Sequence, residues 1–213
     1  MNRRNLEPWR GSRLRRSFYA RPVLTVAREL VGKVLVHRSA EGTTAGRIVE
    51  TEAYRGPHDR AAHSFGGRRT PRTEAMFGPP GHAYVFFVYG MHWNFNIVTG
   101  RVGEPHAVLI RAIEPLAGLE LMAERRRMQP ARVELTNGPG KVCQALGITG
   151  AQYGRDLCKD PLFLNEGSAG RVMRSRRVGI DYSGVWAERP WRFFEADNAY
   201  VSRVPRRSML NAT

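Results

Sequence analysis

The chain has 213 residues, enough for one domain with a well-filled core, and 42% of them are hydrophobic. It carries 34 lysines and arginines against 19 acids, a formal charge of +15 that points to a polyanionic partner, nucleic acid first. No run approaches the roughly eighteen apolar residues of a spanning helix, so no membrane partner is expected, and the N-terminus lacks the apolar stretch of a secretory signal.

Residues 1–16 hold six arginines and few large apolar side chains, and read as a flexible basic arm. A helix is predicted over Pro22–Val31, opening on proline and stopping at Gly32. Lys33–His37 and Gly46–Tyr54 read as strands. Arg55–Pro80, rich in Gly, Pro and Arg, reads as a long loop of the kind that often carries function. Two dense strands, HAYVFFV and MHWNFNIV, meet at Tyr89-Gly90 as a hairpin with a tyrosine at its tip. AVLIRAI forms a further strand over Ala107–Ile113. Helices are predicted at about 117–128 and 139–147, the second opening on Gly138-Pro139-Gly140-Lys141. Strand-like runs follow near 176–181 and 190–195. Strands and helices mix without regular βαβ alternation, so the class is α+β.

The densest chemistry lies in VETEAY, Val49–Tyr54. An extended backbone puts Glu50, Glu52 and Tyr54 on one face and Val49, Thr51 and Ala53 on the other. Spacing alone does not choose between the glutamates. Arg111 shares a strand face with Ala107, Leu109 and Ile113, so it is expected to be buried and to need an acidic partner, which VETEAY supplies. A structural ion pair meets that need as well as an active site does.

His58 and His63 are five apart, with Asp59 beside the first, and there is no HExxH, no CxxC and no acidic cluster. No metal is expected. Cys143 and Cys158 form neither a zinc nor a disulfide pattern and read as free thiols of a reducing compartment. The hairpin aromatics Tyr84, Phe86, Phe87, Trp93 and Phe95 read mostly as core. Tyr89, at the tip, reads as a stacking or wedging residue for nucleic acid, the alternative being a ring folded back onto its own hairpin.

The run RIVETEAYRGPHDRAAHSFGGRRTPRTEAMFGPPGHAYVFFVYGMHWNFNIV, followed by AVLIRAIEPLAGLE and GPGKVCQALGI, resembles the alkyladenine (3-methyladenine) DNA glycosylase family. The likeness extends over residues 17–204, leaving 1–16 as the arm and 205–213 as a tail. It implies a single α+β domain with a curved, mostly antiparallel sheet, surrounding helices and a protruding hairpin that wedges into DNA. It implies an enzyme that flips alkylated or deaminated purines out of double-stranded DNA and hydrolyses the N-glycosidic bond with an activated water, leaving an abasic site. No cofactor is implied. A monomer is expected, in the cytoplasm of a bacterium and associated with the nucleoid.

By the same resemblance Glu52 activates the water and Glu50 supports the fold. Arg111 and the backbone carbonyl of Val178 would help hold that water. The Glu52 charge would orient the water and stabilise the cationic sugar as the base leaves. Tyr54 would stack on the flipped base and His63 would lie beside its edge, its backbone amide a donor. Phe86 would be a pocket wall where the family often has tyrosine, and Asn96 would crowd the exocyclic amino group of guanine. Tyr89 would fill the gap in the minor groove. Met91, Thr70, Arg68 and Arg72 would touch the DNA backbone, and Lys141, at a helix start, a phosphate.

A strand-cutting glycosylase would need an amine nucleophile. The only lysines are Lys33, Lys141 and Lys159, none in the expected pocket, so a monofunctional enzyme is expected. The alternatives are a non-catalytic basic nucleic-acid-binding protein and a metal-dependent nuclease, the latter disfavoured by ligand spacing.

Overall fold

Side-chain alternation along four strands divides the molecule into a helix-covered face and a pocket-bearing face. The computed structural model describes residue 9, residues 11–202 and residues 209–212. The helices are α1 (Arg16–Tyr19), α2 (Val23–Leu30), α3 (Leu119–Arg126) and α4 (Pro139–Leu146). The strands are β1 (Val34–Ser39), β2 (Gly42–Arg55), β3 (Ala83–Val88), β4 (His92–Thr99), β5 (His106–Ala117), β6 (Leu162–Asn165), β7 (Val172–Ser175), β8 (Arg192–Glu195) and β9 (Leu210–Asn211). They form one sheet in the order β3-β4-β5-β2-β8-β7-β9, with β1 also on β2 and β6 on β1. Every pairing is antiparallel. This is the α+β class read from the sequence.

The long strand β2 is the hub. β5 takes one of its edges, while β1 and β8 share the other, β1 pairing with residues 42–47 and β8 with residues 50–52. On one face Val85, Phe95, Ile97, Val108, Ile110 and Ala53 join the buried cluster that α2 and α4 complete. The alternate residues Tyr84, Phe86, Asn96, Leu109, Arg111 and Tyr54 line a pocket on the other face.

The helices fit their cover role. α2 buries Val23, Val26, Ala27 and Leu30, spaced i, i+3, i+4 and i+7. It cannot extend past Gly32, whose φ is 94° and where a Cβ would come within 2.4 Å of the Ala169 nitrogen. α4 opens on Pro139, whose missing N–H costs nothing in a first turn, and ends at left-handed Gly147.

Three readings change. β5 runs on to Ala117, and Gly118, at φ 74°, turns the chain into α3. The run 176–181 is not a strand: β7 lies earlier, at Val172–Ser175. The reason is local, since the Val178 N–H is bound by a side chain and Gly179 has a φ of 72°. Residues 11–16, read as part of the arm, lie along β6. There Leu14 N donates to Leu164 O at 2.9 Å, Glu166 N donates to Ser12 O at 2.8 Å, and Leu14 is buried. Residues 1–8 and 10 of the arm, and 205–208 and 213 of the tail, lie outside the described residues. No helix among the described residues is long and apolar enough to cross a membrane.

Candidate active site

The centre of the site is a slip in strand register. Between β2 and β5 the pairing passes from Ile48–Ile113 to Glu50–Ala112 and then to Thr51–Ile110. Val49 and Arg111 are left without opposite partners, as bulged residues that bend a strand and re-aim a side chain. Arg111 is aimed between the two glutamates. Its Nε donates to Glu50 Oε1 at 2.9 Å, and its Nη1 lies 3.5 Å from Glu52 Oε2. Burial alone would lower its pKa, but the Glu52 and then the Glu50 charge outweigh that and hold the guanidinium above its ordinary value.

Both glutamates have 0% exposure. What separates them is the number of partners. A carboxylate offers about four acceptor directions. Glu50 fills them with Arg111 Nε, Arg192 Nε at 2.7 Å, Ser202 N at 2.9 Å and Ser202 Oγ at 2.8 and 2.9 Å. Glu52 has Val178 N at 2.7 Å on Oε1 and Tyr54 Oη at 2.8 Å on Oε2, besides the longer Arg111 contact. Among the described residues one direction stays open. Burial, followed by the neighbouring Glu52 charge, raises the Tyr54 pKa well above that of a free phenol, so its hydroxyl stays a donor.

The three groups that hold Glu52 (Tyr54, Arg111 and Val178) line a pocket of about 290 Å³, with Glu52 beneath them. His63, Phe86, Asn96 and Tyr89 line it too. The Val178 main chain meets Glu52 through its amide, a contact the sequence reading did not contain. A larger cavity of about 590 Å³, beside the start of α2, holds none of the expected site residues.

The upper wall is aromatic. The rings of His63 and Phe86 meet edge to face, 4.5 Å apart, and Tyr84 lies 5.3 Å from Phe86. His63 Nδ1 and Tyr84 Oη are 2.7 Å apart, and Asn96 Nδ2 donates to the Tyr84 carbonyl at 3.2 Å. His63 is an exposed residue, yet the packing of its ring against Phe86 and Tyr84 partly desolvates it. That desolvation, with the Arg72 and Arg68 charges adding to it, lowers its pKa to about 4 and keeps it neutral at physiological pH. The Arg72 guanidinium lies 5.1 Å over the Phe86 ring. Phe86→Tyr keeps this wall and adds one hydroxyl. In the activity that the sequence resemblance implies, single-turnover excision is expected to shift by no more than about tenfold, the worth of a single hydrogen bond of about 0.5–1.5 kcal/mol. A larger change would mean that Phe86 does more than form a wall.

Tyr89 is 85% exposed and does not fold back on its hairpin. It holds a φ of 53° and Gly90 one of 68°. A left-handed tyrosine costs on the order of 1 kcal/mol, and such strain gathers at functional sites. Met91, beside it, is also exposed. Arg68 and Arg72 are exposed on the loop before β3, where Thr70 N donates to Thr73 Oγ1 at 2.9 Å. Lys141 Nζ donates to Asn137 Oδ1 at 2.7 Å in the first turn of α4. Among the described residues no three His, Cys, Asp or Glu side chains gather as a metal-binding group.

The sequence reading missed three contributors. Tyr84, read as core, is 2% exposed in a buried cluster, and its place two residues before Phe86 also puts it on the pocket face. Tyr182 lines the pocket and is 72% exposed, but it lies on a 3-10 turn with no periodicity to reveal it. Arg192 and Ser202 reach Glu50 from more than 140 residues away, which no local signal marks.

The Methylpurine-DNA glycosylase (MPG) family description matches residues 17–199. A protein of Desulfitobacterium hafniense (strain Y51) is 52% identical over 199 residues, covering 89% of this chain and 98% of its own. One from Clostridium acetobutylicum is 47% identical, covering 89% and 97%, and one from Myxococcus xanthus is 48% identical, covering 89% and 93%. Each of the three is named "Putative 3-methyladenine DNA glycosylase". A family match over residues 17–199, with relatives 47–52% identical along nearly their whole length, places this protein in the methylpurine-DNA glycosylase family.

Proposed function

We propose that the protein excises alkylated or deaminated purines from double-stranded DNA as a monofunctional glycosylase, with Glu52 activating the attacking water. One observation carries this reading: among the described residues Glu52, held by three groups that line the pocket, keeps an acceptor direction with no donor on it, whereas Glu50 has none. The damaged nucleotide leaves the stack, at a cost lowest where its pairing is already weak. Its base enters between Tyr54 and the wall of Phe86 and His63, and Tyr89 fills the gap it leaves. The glycosidic bond breaks with its electron pair going to the departing base, the Glu52 charge facing the cationic sugar, and the water bonds to the sugar C1′ as Glu52 takes its proton, leaving an abasic site. Arg111 and the Val178 carbonyl steady the water. Asn96 stands where the amino group of an undamaged guanine would press.

Met91, Thr70, Arg68, Arg72 and Lys141 serve the DNA backbone, so binding should weaken steeply with salt. No lysine lines the pocket, which supports water rather than an amine as nucleophile. Incubation of lesion-bearing duplex with the protein in EDTA should give alkali-labile sites without prior strand cleavage. A gel shift with no such sites would instead identify a non-catalytic binder, and cleavage that EDTA abolishes a metal-dependent nuclease.

The wedge is tested separately. Tyr89→Ala should weaken binding to lesion duplex by roughly 1–3 kcal/mol, the worth of a base–aromatic stack. The melting temperature should hardly move, because the ring is already in solvent. Unchanged affinity would remove Tyr89 from the interface.

A further inference from the structure

Arg177, the residue before Val178, forms an ion pair with Asp59 in which both side chains have 0% exposure. Nη1 donates to Asp59 Oδ2 at 2.5 Å and Nη2 to Asp59 Oδ1 at 2.9 Å. The same fork reaches Ala53 O at 2.9 Å and Trp186 O at 3.2 Å. Asp59 also accepts from Arg55 N at 3.2 Å and Ala61 N at 3.0 Å. The guanidinium carbon lies 4.8 Å over the Tyr54 ring and 5.1 Å over that of Trp191.

One pair thus joins the end of β2, the loop that leads to His63, the segment that carries Val178, and the turn at Trp186. Two of the parts it holds, the Tyr54 ring and the Val178 amide, are each one hydrogen bond from Glu52. Stability alone is a weak reason for such a pair, because apolar residues of similar volume often do as well. Among the described residues, moreover, the buried Arg177 Nε has no hydrogen-bond partner.

We propose that Asp59 and Arg177 are positioning residues. Arg177 braces the back of the Tyr54 ring while fixing the Val178 amide on Glu52, so that one guanidinium sets both the base platform and the carboxylate. The inference rests on Glu52 being the base. Lysine keeps the charge but cannot reproduce a planar fork with several fixed donors. A displacement of about 1 Å in a reacting group can cost on the order of 100-fold in rate.

The test is single-turnover excision of hypoxanthine from duplex DNA at saturating protein. It compares the parent, Arg177→Lys, the paired neutral swap Asp59→Asn with Arg177→Gln, and Glu52→Gln. Affinity is measured in parallel on duplex carrying a tetrahydrofuran abasic analogue. In both Arg177 variants the rate constant should fall about 10- to 100-fold, with affinity within about threefold. The rate constant is read where it no longer rises with protein concentration, so loss of some folded protein leaves it unchanged and instability does not mask the result. A parental rate constant in both Arg177 variants, with a lowered melting temperature, would show a merely structural pair and overturn the proposal. Parental excision by Glu52→Gln would instead sink the reading on which it rests.

Discussion

Glu52→Gln should lower single-turnover excision by at least about 100-fold, the lower end of what a positioned general base contributes. Glutamine fills the same space and can still accept from the Val178 amide or the Tyr54 hydroxyl. It has neither the basicity to take a proton from water nor the charge to face a cationic sugar. Arg111 is not abandoned by the change, because its Nε remains on Glu50. The protein should therefore fold and hold lesion duplex near parental affinity. Measuring rate constant and affinity on the same preparation separates chemistry from binding. Normal excision by Glu52→Gln, with none from folded Glu50→Gln, would reverse the roles assigned to the two acids.

Much of this site is legible in the sequence because strands have a period of two. VETEAY places Glu50, Glu52 and Tyr54 on one face, and the structure keeps them there, with Thr51 Oγ1 instead reaching the Ala27 carbonyl of α2. The hairpin is equally legible, since Tyr89-Gly90 interrupts two apolar strands with a glycine suited to a left-handed turn. The choice between the glutamates is not legible from spacing. It depends on Arg192 and Ser202, which return to Glu50 142 and 152 residues later. The register slip that frees Arg111 is hidden for the same reason, as it belongs to a pair of strands and not to either alone. The run 176–181 misleads in another way. Val178 and Ile180 alternate like a strand, but the amide a ladder would need is given to Glu52 and the guanidinium before it to Asp59. An alternating pattern records which side chains are apolar, not where the backbone finds its partners.

Glu50→Gln should be a stability variant, the counterpart of the Glu52 change. The carboxylate has no exposed surface and meets the Nε atoms of both Arg111 and Arg192. Arg192 is itself 2% exposed, and its Nη2 is spent on Ser202. Removing the charge leaves these guanidiniums underpaired in a dry interior, and the amide end of glutamine turns a donor toward donors. Breaking a buried pair from one side costs about 3–5 kcal/mol. For a chain of this size that corresponds to a fall of roughly 6–20 °C in melting temperature. Thermal unfolding followed by circular dichroism gives the shift, and urea titration at 25 °C gives the free energy directly. Glu52 would retain Tyr54 and Val178, so protein that is still folded at assay temperature should excise within about tenfold of the parent. A melting temperature within about 2 °C of the parent, together with lost excision, would make Glu50 part of the chemistry and leave the buried arginines held by other groups.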